Sequence, residues 1–183
     1  MEKDKRDERK CVTLIGMPAA GKSTVGVLLA KRLGYRFIDA DILIQEETGK
    51  LLKEIIAEQG MEGFMEVENR INAGIKAEQA VIAPGGSVIY GKEAMEHLRS
   101  LGMIVYLKIS FEELLRRLGD VVDRGVVLKE GMTLRDLYDE RIRYFERYAD
   151  YTMDEEGKDF GQVVDELRTM LEEKGYSKKG LPH

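Results

Sequence analysis

The residues with the clearest chemical meaning are 16–24, which read Gly-Met-Pro-Ala-Ala-Gly-Lys-Ser-Thr. This stretch fits the phosphate-binding loop pattern G-x-x-x-x-G-K-[ST] without a mismatch. Gly16 and Gly21 allow successive backbone N–H groups to curl around an anion. Lys22 can reach the β- and γ-phosphates, and the Ser23 hydroxyl can bind a magnesium ion. These residue types at this spacing indicate a site for a nucleoside triphosphate.

The segments on either side of the loop have the patterns that such a site requires. Residues 11–15 are predicted to form a buried strand that enters the loop, and residues 23–33 a helix that leaves it with its positive dipole end towards the anion. The apolar face of this helix is predicted to contain Val25, Leu28, Leu29 and Leu33. The loop residues expected to contact the nucleotide also include Ala19, Ala20 and Thr24.

Two carboxylates follow the second predicted strand, residues 35–38. The third strand, residues 80–83, ends without a carboxylate, so Asp39 is the nearest candidate to support magnesium. Asp41 could accept a proton from a substrate hydroxyl or orient that hydroxyl. The alternative interpretation makes Asp41 only the N-cap of the next helix.

Further groups able to face an anion come later in the chain. Gly85 and Gly86 could present backbone N–H groups to a substrate or to the transferred phosphoryl group. Residues 119–131 lack a clear periodicity and are flanked or occupied by Arg116, Arg117 and Arg124, so we expect a lid whose arginine can close over the γ-phosphate. The alternative for each arginine in this region is a solvated surface charge, and for Arg116 that alternative is favoured.

Three more arginines share one predicted helix, and we expect most of them to pair with its acidic residues. The arginines are Arg141, Arg143 and Arg147, and the acidic residues are Asp139, Glu140 and Glu146.

Strands that alternate with helices predict a parallel α/β sheet covered on both faces. Such sheets bind ligands beyond the carboxyl ends of their strands, which brings the phosphate loop, the two aspartates and the Gly-Gly turn to one edge. The other predicted strands are 103–107 and 151–153. The other predicted helices are 42–77, interrupted near Gly49 and Gly60, and then 92–101, 110–118, 133–149 and 160–173.

Composition limits the possible classes of function. A chain of 183 residues fits one domain, for which we expect a charged, disordered arm at residues 1–10, a domain at 11–174 and a frayed tail at 175–183. The net charge of −5 and the absence of a basic face argue against nucleic acid. The longest uncharged run, residues 79–91, is too short to span a membrane. The single cysteine, Cys11, fits a core position and a reducing cytoplasm.

The order of the motifs resembles the shikimate kinase family. The motifs are GMPAAGKSTVG, FIDAD, GMEGFMEVE, APGGSV, a lid with an arginine, and DERIRYFERYAD, and the likeness runs from about residue 12 to residue 154. The resemblance implies a three-layer P-loop kinase fold, with a five-stranded parallel sheet of order 2-3-1-4-5, flanking helices and a lid. It also implies a cytoplasmic monomer that transfers the γ-phosphate of ATP to a ring hydroxyl of shikimate with Mg²⁺.

The resemblance implies a role for each residue that matches a family motif. For the nucleotide and metal, Lys22 and Ser23 would hold phosphate and magnesium, Asp39 would support the metal, Arg117 would pack on adenine and Arg124 would be the lid arginine. For the acceptor, Asp41 would meet the reacting hydroxyl, Gly85 and Gly86 would line the substrate, and Arg141 would pair with the shikimate carboxylate.

The sequence departs from the family pattern in the half that recognises the acceptor. The family motif G-E-x-x-F-R supplies a second carboxylate-binding arginine, and Met65 stands at that substrate-contacting position. The usual Gly-Gly-Gly turn begins with Pro84, and the lid motif Arg-Pro-Leu-Leu reads Arg-Gly-Val-Val from Arg124. A bidentate arginine–carboxylate contact is worth roughly 1.5–3 kcal/mol. Its loss would weaken shikimate binding ~10–100-fold unless Arg70 or another cation substitutes.

Three hypotheses therefore stay open. The first is a kinase that acts on shikimate, and the second is the same machinery acting on another hydroxyl compound, such as homoserine or a sugar acid. The third is a nucleotide-binding regulatory module that does not catalyse. Retention of Lys22, Asp39, Asp41 and Arg124 together argues against the third.

Overall fold

The computed structural model describes residues 11–119 and 128–176. Within these ranges five strands alternate with seven α-helices. The strands are β1 (Cys11–Ile15), β2 (Arg36–Asp39), β3 (Ala80–Ala83), β4 (Gly102–Lys108) and β5 (Tyr151–Asp154). The helices are α1 (Lys22–Leu33), α2 (Ala40–Thr48), α3 (Leu52–Ala73), α4 (Lys92–Leu101), α5 (Phe111–Leu118), α6 (Leu134–Tyr148) and α7 (Phe160–Glu173). A short 3-10 helix, Val88–Tyr90, lies between β3 and α4.

The strands form one parallel sheet in the order β2-β3-β1-β4-β5, which confirms the predicted fold class and order. All residues of β1 and β3 are buried, as expected for central strands covered on both faces by helices. Because the strands are parallel, the loops after β1, β2 and β3 leave the sheet at the same edge. This edge carries the predicted phosphate loop, the two aspartates and the Gly-Gly turn.

A separate small apolar cluster supports the elements beside that edge. It is formed by Ile44 of α2 together with Ile55, Phe64 and Ile71 of α3. Helix α3 bends at Gly60, whose φ of 72° and ψ of −179° are not helical. The predicted interruption at Gly60 is thus a kink within one long element, and the interruption near Gly49 separates α2 from α3.

One sequence-based assignment of a buried face is wrong. Leu28 of α1 is 40% exposed, whereas Val25, Leu29 and Leu33 are buried as predicted. The buried face includes Gly26 and Ala30 instead of Leu28. Gly26 packs directly against the Phe37 ring, where a Cβ would collide.

The predicted lid and termini lie mainly outside the described residues. Arg124 and residues 1–10 are among those outside. Of the tail predicted from residue 175 onward, Gly175 and Tyr176 are described, and their backbone N–H groups bond to Glu172 and Leu171 of α7. No helix within the described ranges is long and apolar enough to cross a membrane.

Candidate active site

The phosphate loop connects β1 to α1 with two residues in the left-handed region. Gly21 has a φ of 84°, and Ala19 has a φ of 67° although it carries a side chain. Gly16 fits only because it lacks one, since a Cβ there would lie 2.8 Å from the carbonyl oxygen of Leu107 on β4. The loop therefore has the close-packed, N–H-lined form in which backbone amides can surround an anion.

Lys22 closes the loop from inside. Its Nζ donates to the carbonyl oxygens of Gly16 and Met17, both at 2.9 Å. Burial and then the positive charge of Arg141 lower the pKa of Lys22 to about 8, against the opposing effect of nearby carboxylates. A bound polyphosphate would stabilise the charged form further and give the ammonium stronger partners than two carbonyls.

Ser23 and Asp39 form the predicted pair of metal-facing oxygens. The Ser23 hydroxyl donates to Asp39 Oδ2 at 2.9 Å. Asp39 Oδ1 accepts from the backbone N–H of Asp41 at 2.9 Å, so Asp39 is the N-cap of α2. The alternative interpretation of Asp41 as the helix cap is therefore wrong, and its carboxylate is not used in capping.

The hydroxyl oxygen of Ser23 and the carboxylate oxygens of Asp39 are suitable ligands for magnesium. Mg²⁺ prefers oxygen ligands and usually keeps several waters, with one or two protein oxygens and the substrate phosphates completing its shell. No cluster of three or more metal-binding side chains occurs in the described parts of the chain. A metal at Ser23 and Asp39 would thus depend on the nucleotide for its remaining ligands.

Asp41 lines the cleft beside this pair. Burial and the neighbouring Asp39 raise the pKa of Asp41, while Lys22 acts in the opposite direction. A carboxylate with a raised pKa is a stronger base than an exposed one and still sits close to the phosphate loop. Asp41 is therefore suited to accept a proton from, or to orient, a hydroxyl group.

The Gly-Gly turn after β3 brings two functional side chains against the backbone. A Cβ at Gly86 would lie 2.9 Å from Nη1 of Arg141 and 3.4 Å from Cδ of Pro18 in the phosphate loop. A Cβ at Gly85 would collide with Oε1 of Glu68. Glycine is needed at both positions because a side chain would occupy the space between the turn and these two charged groups.

Arg141 of α6 is 5% exposed and points to the same cleft. Its guanidinium carbon lies 5.7 Å from the ring centre of Tyr90, and its Nε has no hydrogen-bond partner. The expected pairing of most α6 arginines with its acidic residues is wrong, because none of Arg141, Arg143 and Arg147 forms such an ion pair within the described residues. Asp139 instead pairs with Arg135 at 3.1 Å, and Glu140 accepts from Tyr90 at 2.8 Å. Arg141 is a buried cation with capacity left for an anionic ligand.

Arg117 of α5 ties three parts of the site together. Its guanidinium donates to Glu155 at 2.8 Å, to Glu113 at 2.6 Å and to the carbonyl oxygen of Ala19 at 3.2 Å. It also lies 5.2 Å from the ring centre of Phe160, which packs against Gly21. Arg116 is a largely exposed residue in an ion pair with Glu113, which confirms the favoured surface interpretation.

Most of the predicted site residues share one cleft of about 830 Å³. The predicted site residues that line it are Ala19, Gly21, Lys22, Ser23, Thr24, Asp39, Asp41, Gly85, Gly86, Arg117 and Arg141. The predicted residues that do not line it are Gly16, Ala20 and Met65, and Arg124 lies outside the described residues.

Arg70 does not replace the missing second arginine. Arg70 is exposed and lies 3.5 Å from Glu47, away from the cleft. The α3 residues that line the cleft include the apolar Met61 and Phe64 and one cation, Lys53, at the start of the helix.

The cleft-lining residues that sequence reasoning missed include Glu68 and Phe160. Glu68 could have been found, because it is a carboxylate on the apolar stripe of α3 between Phe64 and Ile71. Phe160 gives no local signal, since an aromatic residue at the start of a helix is usually part of the core. Its position over the phosphate loop depends on how α7 packs on α1.

Comparisons with known proteins agree with this geometry. The family model described as shikimate kinase matches residues 18–172. A shikimate kinase from Moorella thermoacetica is 37% identical, over 87% of this chain and 93% of that one. One from Chlorobium chlorochromatii is 34% identical, over 90% of this chain and 92% of that one. The solved shikimate kinase of Acinetobacter baumannii in complex with shikimate superposes with a TM-score of 0.80 and 28% identity, covering 90% of this chain and 94% of that one.

Proposed function

The chain belongs to the shikimate kinase family, and on that premise we propose that it transfers the γ-phosphate of ATP to a hydroxyl group of shikimate. The observation that carries the proposal is the content of one cleft. It holds the phosphate-loop lysine Lys22, the carboxylate of Asp41 and the buried guanidinium of Arg141. These are the groups needed to bind a triphosphate, to handle a hydroxyl proton and to hold a carboxylate.

The nucleotide would bind at the loop end of the cleft. Lys22 would exchange its two carbonyl partners for oxygens of the β- and γ-phosphates, and the loop N–H groups would surround the same phosphates. Arg117 and Phe160 together provide a cationic and aromatic surface on which the adenine can stack. The lid arginine, Arg124, remains a prediction from the sequence.

Ser23 and Asp39 would hold the magnesium ion through their oxygens. Bound there, the ion supplies charge neutralisation between the phosphate groups during transfer. Asp39 keeps its second oxygen on the α2 backbone, so its position is fixed before any ligand arrives.

The acceptor would bind at the other end of the cleft. Asp41 would hydrogen bond the reacting hydroxyl and take its proton as the new phosphate ester forms. Arg141 would pair with the acceptor carboxylate in the low-dielectric interior, where a charged hydrogen bond is stronger than at the surface. The Gly85 and Gly86 backbone gives the acceptor space next to both groups.

A cytoplasmic location and a monomeric state accompany this proposal. Both follow from the family resemblance, and the cytoplasm is where ATP is available for a biosynthetic reaction that leads to aromatic amino acids. A gel-filtration mass equal to one chain would support the monomeric state, and a mass equal to two chains would indicate a dimer instead.

A second acceptor class is favoured by one observation. Met65 stands where the family places an arginine, and Arg70 does not line the cleft, so neither position supplies a cation for an acceptor carboxylate. An acceptor that does not need a cation at residue 65, such as homoserine or a sugar acid, would lose less binding affinity from this change.

A panel of acceptors tests the proposal. ADP release from ATP and Mg²⁺ is measured with shikimate, homoserine and sugar acids, with the Lys22→Ala protein as the inactive control. We expect shikimate to give the highest kcat/KM. Higher turnover with another acceptor would replace shikimate, and release that no acceptor raises above background would favour a regulatory module.

A further inference from the structure

Glu68 is a buried carboxylate in the acceptor half of the cleft that the proposed transfer does not use. Glu68 is 1% exposed and lines the cleft. The Ser87 hydroxyl donates to Oε2, whereas Oε1 has no hydrogen-bond partner. A buried carboxylate oxygen without a partner is costly, so the group either binds a donor from a ligand or holds a proton itself.

The helix that carries Glu68 offers no positive charge to it. Met61 and Phe64 line the cleft from the same face of α3, seven and four residues earlier. Met65 precedes Glu68 by three residues, a spacing at which helix side chains are neighbours. An arginine or lysine at residue 65 could pair with Glu68, and methionine cannot.

The charged groups that face Glu68 come from three other helices. Asp41 of α2 disfavours its ionised form, whereas Arg141 of α6 and Lys22 of α1 favour it. Helix α4 also packs against α3, but its Glu93 accepts a hydrogen bond from Asn69. Burial is the largest effect and, against the Ser87 hydrogen bond, it raises the pKa of Glu68 to about 7.

We propose, building on the proposed function, that Glu68 takes up a proton from solvent when an acceptor bearing a carboxylate binds in this cleft, so that acceptor binding weakens as the pH rises. The acceptor carboxylate brings a further negative charge to a region that already holds Asp41, and like charges disfavour ionisation. The protonated Glu68 becomes a donor, which allows its unpartnered side to hydrogen bond an oxygen of the acceptor. Met65 makes this possible because it leaves the carboxylate without an ion-pair partner three residues away on its own helix.

Calorimetry of shikimate binding tests the proposal directly. Titrations at pH 8 in two buffers with different ionisation enthalpies give the number of protons taken up. Saturating AMP-PNP and Mg²⁺ hold Lys22 in its charged form throughout. We expect an uptake approaching one proton per shikimate and a Kd that rises up to about tenfold per pH unit above pH 7.

Two variants and a control assign the proton to Glu68. Glu68→Gln keeps a hydrogen-bond partner for Ser87 but cannot ionise, and Met65→Arg supplies the missing cation, so both should abolish the uptake and flatten the Kd profile. Glu66→Gln removes an exposed carboxylate from the same helix, and it should leave the proton uptake and the Kd profile unchanged. Binding by the unaltered protein without proton uptake, or undiminished uptake by Glu68→Gln, would overturn the proposal.

A ligand-free measurement separates this proposal from the proposed function. If shikimate does not bind at any pH, the proposed function fails. The role of Glu68 can still be tested by following its carboxyl ¹³C NMR signal in the free protein as the pH is changed. Titration near pH 7 that moves to lower pH in Met65→Arg would support Glu68 as the proton-binding group. Titration near the ordinary glutamate value of about 4.3 would overturn it.

Discussion

Asp41 is the side chain best placed to handle the acceptor proton, because its carboxylate is free of the capping role that Asp39 fills. Asp41→Asn keeps the shape and removes the base. We expect kcat to fall about 10²–10⁴-fold, with little change in the KM for ATP. Steady-state ADP release measures both, and Asp165→Asn, an exposed site on α7, is the matched control. Near-native kcat in Asp41→Asn would show that this carboxylate does not act on the hydroxyl.

Gly86 tests whether Arg141 binds the acceptor. An added Cβ would lie 2.9 Å from Arg141 Nη1, so Gly86→Ala should displace the guanidinium. We expect the KM for the acceptor to rise about tenfold, the loss of part of a charged hydrogen bond, while the KM for ATP stays the same. Gly74→Ala, where a Cβ meets only ordinary contacts at 3.5 Å, is the control. An equal effect on both substrates would contradict an acceptor role.

Residues whose roles depend on a local motif could be placed from the sequence. Lys22, Ser23 and Asp39 take positions that strand, loop and helix patterns define, and the structure brings them to one cleft. Glu68 was missed because its importance depends on what the turn after β3 and α6 place opposite it. Its unpartnered oxygen is a property of the packed molecule and cannot be read from the order of residues.

At the scale of elements, Arg117 connects α5 to the phosphate loop and to Glu155 after β5. Glu155 is buried, and burial raises its pKa although Arg117 opposes this. Arg117→Ala would leave a buried carboxylate unpaired, which costs about 3–5 kcal/mol. We expect the free energy of unfolding, measured with urea, to fall by about that amount and the KM for ATP to rise.

The neighbouring arginine is the control for this prediction. Arg116 pairs with the same Glu113 but is 73% exposed in its side chain. Arg116→Ala should therefore leave the free energy of unfolding nearly unchanged and the KM for ATP unaltered. Equal losses in the two variants would mean that the Arg117 network does not depend on burial.

Element positions were predicted well where a pattern and an end signal coincide. β3 is an uninterrupted apolar run that stops at a proline, and α6 and α7 begin at the capping boxes of Thr133 and Asp159. The face of α1 was predicted wrongly at Leu28, since Gly26 and Ala30 are buried in its place. The close contact of Gly26 with Phe37 of β2 cannot be read from the leucine pattern of the helix.

At the scale of the whole molecule, Glu68 links stability to pH. Its folded-state pKa of about 7 lies above the unfolded value, so its contribution is fully present below about pH 4.5 and is lost as the pH rises through 7. Glu68→Gln should remove this dependence, worth about 3 kcal/mol between pH 4.5 and 7.5. Urea unfolding of both proteins across this range measures it. Parallel pH profiles would contradict a raised pKa.

The order of the strands in the sheet is also a property of the whole molecule. Alternating strands and helices predicted a parallel sheet, but local patterns contain no information on which strands are neighbours. The order β2-β3-β1-β4-β5 was expected only from the family resemblance, and the structure confirms it. This order places β1 beside β3, which brings the phosphate loop next to the Gly-Gly turn and so joins the two halves of the cleft.

A crystal structure with AMP-PNP, Mg²⁺ and shikimate tests most directly whether one cleft joins a triphosphate to a hydroxyl acceptor. We predict the β- and γ-phosphates within the loop of residues 16–24, with one shikimate hydroxyl between Asp41 and the γ-phosphorus at a separation of about 3–3.5 Å. Nucleotide bound elsewhere, or Asp41 turned away from the shikimate hydroxyls, would contradict the proposed transfer.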